Sequence, residues 1–90
     1  MSEKKYVRNS EVVWNTVDQE IVILDISSGT YYGLNKTAAE IWIFLEKPRS
    51  EHEVMSHMHQ TFSGTEEKKL DEDIITLLED LLSKDLVISS

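Results

Sequence analysis

Between residues 11 and 34 the chain alternates short apolar runs with polar or glycine-containing breaks. Val12, Val13, Trp14, Thr16 and Val17 are β-branched or aromatic and predict a strand over 11–17. Asp18-Gln19 is the first turn. Ile21 to Ile26 is almost wholly apolar, the pattern of a central strand partly covered on both faces. Ser27-Ser28-Gly29 forms the next turn, with Gly29 at positive φ. A third strand covers Thr30 to Leu34. Connections this short imply an antiparallel meander.

After Leu34 the period changes. Leu34, Ala38, Ile41, Trp42 and Leu45 follow helical spacing, and Asn35 is a good N-cap because its side-chain oxygen accepts from a first-turn N–H. This helix spans 36–46 and stops before Pro48. Ser50-Glu51-His52-Glu53 is a capping box that opens a second helix, with Val54, Met55, Met58 and Phe62 on one face and an end at Ser63-Gly64. Leu70, Ile74, Leu77, Leu78 and Leu81 define a third helix starting between Glu66 and Glu72. Asp71, Glu72 and Asp73 favour the positive end of its dipole. Leu86-Val87-Ile88 is either a short fourth strand or an apolar tail on the core. Residues 1–9 read as a polar lead-in, and residues 10–90 as one domain. The fold class is α+β: a three-stranded meander, then three helices.

Composition narrows the function. A chain of 90 residues buries about 60–65% of its unfolded surface, enough for one core and no deep active-site cavity. The absence of cysteine excludes disulfides and thiolate metal sites. Seventeen Asp and Glu against nine Lys and Arg give a net charge of −8. The basic residues are scattered, so neither a phosphate backbone nor an anionic membrane is an expected partner. No run of about 18 apolar residues is present, and Met1 to Lys5 lacks the apolar core of a signal peptide. A cytoplasmic location is the expectation.

No catalytic constellation emerges. His52 and His59 share a helical face, His57 points about 140° from His52, and no carboxylate joins them at helical spacing. They are expected to be surface histidines, with no metal. Carboxylate pairs such as Glu66-Glu67 and Glu79-Asp80 fall in polar stretches that suit a solvated helix face. Gly29 and Gly33 flank a strand and cradle no phosphate. The chain is expected to be no enzyme and to hold no cofactor. What remains is an edge: Thr30 to Leu34, if uncovered, can template an incoming peptide strand. Tyr31 and Tyr32 either supply contact area there or simply pack the sheet on the helices.

Leu24-Asp25, Gly29, Tyr31-Tyr32, Leu34-Asn35, Thr37-Ala38-Ala39, Ile41-Trp42, Asp73-Ile74, Leu77-Leu78, Leu81 and Leu86-Val87 together resemble the PqqD-like family. These are recognition elements for ribosomally made, post-translationally modified peptides. The resemblance covers residues 10–88. It implies a winged-helix-like fold whose third strand binds the leader of a precursor peptide as an added strand, in a groove closed by the third helix. The leader is then presented to a modifying or processing enzyme: a leader protease, a cyclase or a radical SAM protein. The peptide-binding residues so implied are Thr30, Tyr31, Tyr32, Gly33, Leu34, Asp73, Ile74, Leu77 and Leu81, on a monomer or weak dimer. Tyr-Tyr-Gly-Leu-Asn and Ile-Trp look more like the stand-alone elements of lasso-peptide clusters than like the quinone-cofactor pathway protein. The chain departs from many members in having Glu46-Lys47-Pro48 for an Asp-Gly pair and Asp85 for a glycine. A winged-helix transcription factor is the competing class, and the acidic balance opposes it.

The third helix carries a stripe of about 160° at 100° per residue, wide enough for both a core and a groove. By resemblance its Asp73 and Leu77 edge faces the third strand. Its Ile75 and Leu82 edge is then left for an enzyme, a second copy or the C-terminal segment.

Overall fold

A computed structural model describes residues 4–64 and 66–89. The elements run β1 (Lys5–Arg8), β2 (Val13–Val17), β3 (Glu20–Asp25), β4 (Thr30–Leu34), α1 (Lys36–Phe44), β5 (Arg49–Ser50), α2 (Glu51–Thr61), α3 (Glu67–Ser83) and β6 (Val87–Ser89). The meander is β2-β3-β4, antiparallel throughout, with β3 central as its apolar run predicts. Val17 pairs with Glu20 across Asp18-Gln19, and Asp18 takes a left-handed φ of 58°, which Asp tolerates better than most residues. Gly29 has φ 71° in the second turn.

Register assigns the faces. Trp14, Ile23 and Tyr32 form one cross-strand row, and Thr16, Ile21 and Leu34 another. Ile21 and Ile23 are fully buried, so these rows face the helices. Val13, Leu24 and Tyr31 form a row on the outer face, as do Asn15, Val22 and Gly33. Trp42 of α1 is the largest buried side chain and meets Trp14 edge to face at 6.3 Å. Ile41, Leu45, Val54, Met58, Leu70, Ile74, Leu78 and Leu81 complete the core between sheet and helices.

The sequence reading misplaces the N-terminal segment. Within the expected lead-in, Lys5–Arg8 is a strand at the centre of a second sheet, β5-β1-β6. Tyr6 is buried, Arg8 donates its backbone N–H to the Leu45 carbonyl at 3.0 Å, and the Arg8 guanidinium lies 4.9 Å from the Trp14 ring. Flanking lysine and arginine mask one inward aromatic in so short a strand. Met1 to Glu3 of that lead-in lie outside the described residues.

The first meander strand starts at Val13, two residues later than predicted, because the Asn9 carboxamide oxygen accepts from Glu11 N at 2.9 Å and holds a turn there. α1 ends two residues short of its predicted end, with Leu45 as its C-cap. α2 ends at Thr61, ahead of the predicted Ser63. The C-terminal apolar segment is a strand, and it pairs with β1 instead of the meander.

Caps join the helices to the second sheet. Ser50 Oγ accepts from Glu53 N at 3.1 Å, and Ser50 N donates to the Glu53 carboxylate at 2.9 Å, the predicted reciprocal box. At the end of α3, Asp85 has φ 58°. Leu86 N donates to Leu81 O at 3.0 Å and Asp85 N to Leu82 O at 3.1 Å, a Schellman closure with Asp where glycine is usual.

Candidate functional site: an open strand edge beside the third helix

β4 pairs with β3 on one side and with no described strand on the other. Its inward residues are Thr30, Tyr32 and Leu34, and its outward ones Tyr31 and Gly33. Tyr31 is 68% exposed on the outer face beside Leu24, so it does not pack the sheet on the helices. Tyr32 is half-buried against the core, with the Lys84 ammonium 5.7 Å from its ring centre. Leu34 is buried opposite Ile21.

α3 runs past this edge. Lys84, its C-cap, stands over Tyr32, and Asp73 to Asp80 stand opposite the start of α1. Between them lies a groove of about 450 Å³. Asn35, Thr37, Ala38 and Ile41 form one wall; Asp73, Ile74, Thr76, Leu77 and Asp80 form the other. Asn35 Oδ1 accepts from Ala38 N at 2.9 Å, the predicted N-cap, and so fixes the corner where β4 becomes α1. The groove floor is apolar and its α3 rim carries two carboxylates. Asp80 accepts a bond from the Lys84 ammonium. Such a site offers backbone donors and acceptors on one side and apolar holds on the other.

The residues singled out by sequence divide into two groups. Thr30, Tyr31, Tyr32, Gly33, Asp73 and Leu77 retain accessible surface on β4 or the groove. Leu34, Ile74 and Leu81 are core, and Ile74 touches the groove only from beneath. Asn35, Thr37, Ala38 and Ile41 line it too and were not predicted to do so. The Asn35 cap marks where α1 starts, but the angle at which α1 leaves β4, which sets these residues along the groove, is not encoded in a local pattern. Ile75, on the opposite side of α3, is 37% exposed, while Leu82 packs partly on the core.

The histidines correct their sequence reading as well. His57 Nε2 lies 2.8 Å from Glu40 of α1, and its ring stacks on Phe44 at 4.1 Å. His59 Nε2 lies 2.6 Å from Asp71 of α3. Both are half-buried links between helices. Their carboxylates come from other elements, out of reach of any helical-spacing argument.

No helix among the described residues is long and apolar enough to cross a membrane. The family model described as coenzyme PQQ synthesis protein D (PqqD) matches residues 20–87, and the chain belongs to this family. Two solved structures share its fold. One is TbiB1 in complex with the TbiA(beta) leader peptide, 27% identical, with a TM-score of 0.78 over 90% of this chain and 93% of that one. The other is lasso peptide synthetase B1 complexed with the leader peptide, 26% identical, with a TM-score of 0.75 over 92% of this chain and 96% of that one. Among curated proteins, none matches the sequence.

Proposed function

We propose that this PqqD-family chain is a leader-peptide adaptor. It binds the leader of a ribosomally made precursor as an added strand along β4 and presents it to a modifying enzyme, with a lasso-peptide protease or cyclase system favoured. The observation that carries the reading is the unpaired β4 edge beside the groove of α3, on a fold shared with two leader-bound proteins. Backbone bonds along the edge contribute about 0.5–1.5 kcal/mol each, and alternate side chains entering the groove add selectivity. From Asp73 to Lys84, α3 covers about 16 Å at 1.5 Å per residue, which corresponds to about five residues of extended peptide. The chain itself performs no chemistry in this reading; the protease, cyclase or radical SAM partner does.

The family model's own description favours a second reading of the same site, a PQQ-pathway chaperone that hands its peptide to a radical SAM enzyme. The test is an amide shift map with synthetic leaders of a lasso-type and a PQQ-type precursor. Shifts are expected on Tyr31 to Leu34 and along the Asp73 and Leu77 edge. Shifts confined to Ile75, Leu82 or α2 would mean that another face binds. A leader from a lasso-type precursor and one from a PQQ-type precursor, titrated separately, distinguish the two readings.

A further inference from the structure

Gly33 lies inside β4, yet the fold does not require a glycine there. Its φ lies outside the left-handed range, and a Cβ built on it meets nothing within 4 Å. Glycine inside a strand is less stable than alanine, and among the described residues no turn or close backbone approach offsets that. Approach of an added strand does not require it either. A strand pairing with β4 lies in the plane of the sheet, about 4.8 Å away, whereas the missing side chain would stand out of that plane on the outer face. The register gives the gap definite walls. Gly33 lies beside Val22, which is half-buried, and beyond Val22 is Asn15. Two residues back on the same face stands Tyr31, 68% exposed, beside Leu24. The result is a notch, floored by the Gly33 backbone, walled by Val22 and Tyr31, and open toward the free edge.

We propose that this notch is a second specificity pocket for the bound leader, on the opposite face of the sheet from the groove. It takes one large apolar or aromatic side chain. The inference rests on the added-strand reading. In an extended peptide, residues that do not enter the α3 groove point to the outer face. The one opposite Gly33 lies across the notch, within reach of Tyr31 on the diagonal. The leader is thus read on both faces: inward positions by α3 and outward ones by Gly33, Tyr31 and Val22.

The test uses the full chain and a display library of fully randomised twelve-residue peptides. Peptides selected on the unmodified protein are expected to slow amide exchange of Thr30 to Leu34 and to carry a large apolar residue at one outward position. Replacing that residue by alanine is expected to weaken binding about tenfold. In Gly33→Val, melting at or above the unmodified temperature, the same replacement is expected to change affinity less than about twofold, because the pocket is already filled. Gly33→Ala, whose added Cβ meets no neighbour, should fall between and serves if valine perturbs the fold. Selected peptides that protect β4 yet show an equal alanine penalty in all three proteins overturn the notch and leave the adaptor reading intact. Selected peptides that leave β4 exchange unchanged overturn the adaptor reading itself, and the notch with it.

Discussion

The two sheets of this small domain treat their strands in opposite ways. β1 is paired on both sides, by β5 and β6, and each of those partners is continuous with a helix end that is capped. The Ser50 box starts α2 directly after β5, and the Schellman closure at Asp85 delivers the chain from α3 into β6. Asn9 adds a side-chain bond of 2.7 Å to the Asp85 carbonyl, tying the exit of β1 to the entry of β6. β4 is paired on one side only, carries a glycine in its interior, and sets Tyr31 in solvent. A closed strand contributes to stability and offers nothing to a partner. An open one is held by its neighbour and the residues beneath it, and its unmade hydrogen bonds remain for a ligand.

Exchanging one tyrosine in each sheet breaks that comparison most sharply. Tyr6 is 8% exposed, and Tyr6→Ala is expected to cost about 3 kcal/mol, by analogy with other buried aromatic truncations. Tyr31→Ala, at a side chain 68% exposed, is expected to change stability by less than about 0.5 kcal/mol while weakening leader binding. Urea midpoints and leader titrations on both variants check this. Equal stability losses would mean that the β4 edge is as integrated into the fold as β1.

The same contrast explains what the sequence could reveal. The meander was legible because each strand is long enough to show its apolar run, and the turns hold residues that tolerate positive φ, Asp18 and Gly29. The helices were legible from period and from the Asn35 and Ser50 caps. The second sheet was not. Its strands have four, two and three residues, too short for a period to register, and all their pairings are long-range. β1 shows one buried position, Tyr6, between two lysines and an arginine. At the candidate site, β4 and the Asp73 and Leu77 edge of α3 could be named. The α1 wall could not, because it follows from the angle between β4 and α1. The histidine links to Glu40 and Asp71 stayed hidden for the same reason: their partners are 17 and 12 residues away.

A smaller effect is expected at Asp85, where the closed sheet carries some strain. A left-handed φ of 58° in a residue with a Cβ is less favourable than in glycine, and the two Schellman bonds are made by backbone alone. Asp85→Gly is therefore expected to raise stability by about 0.5–1 kcal/mol, read as a higher urea midpoint at unchanged slope. Destabilisation would show that the Asp85 side chain stabilises this corner in a way that the backbone closure does not explain.

The smallest effect lies in acid, and it separates the sheets by their carboxylates. Asp25 closes the turn that leads into β4. Its carboxyl is held below the ordinary range, first by the Ser27 hydroxyl, which donates at 2.7 Å, with further bonds from Ser28 and the backbone. Glu53 belongs to the closed sheet's side. Its carboxyl is also lowered, first by the backbone N–H of Ser50, with smaller contributions from the Ser50 hydroxyl and the charges of Lys5 and Arg49. Both groups bind a proton more weakly in the folded chain than in the unfolded one. Their stabilisation is therefore present above the unfolded carboxylate range of about 4 and is lost as pH falls through the lower folded values. Amide exchange between neutral pH and about pH 3 should show protection falling at Ser27 to Tyr31 through Asp25, and at Ser50 to Glu53 through Glu53. Asp25→Asn should flatten the acid response of the β4 turn alone, and Glu53→Gln that of the α2 start alone. If Asp25→Asn also flattened the response at Ser50, the two sheets would open as one unit, and the division between a closed, stabilising sheet and an open, ligand-ready one would fail.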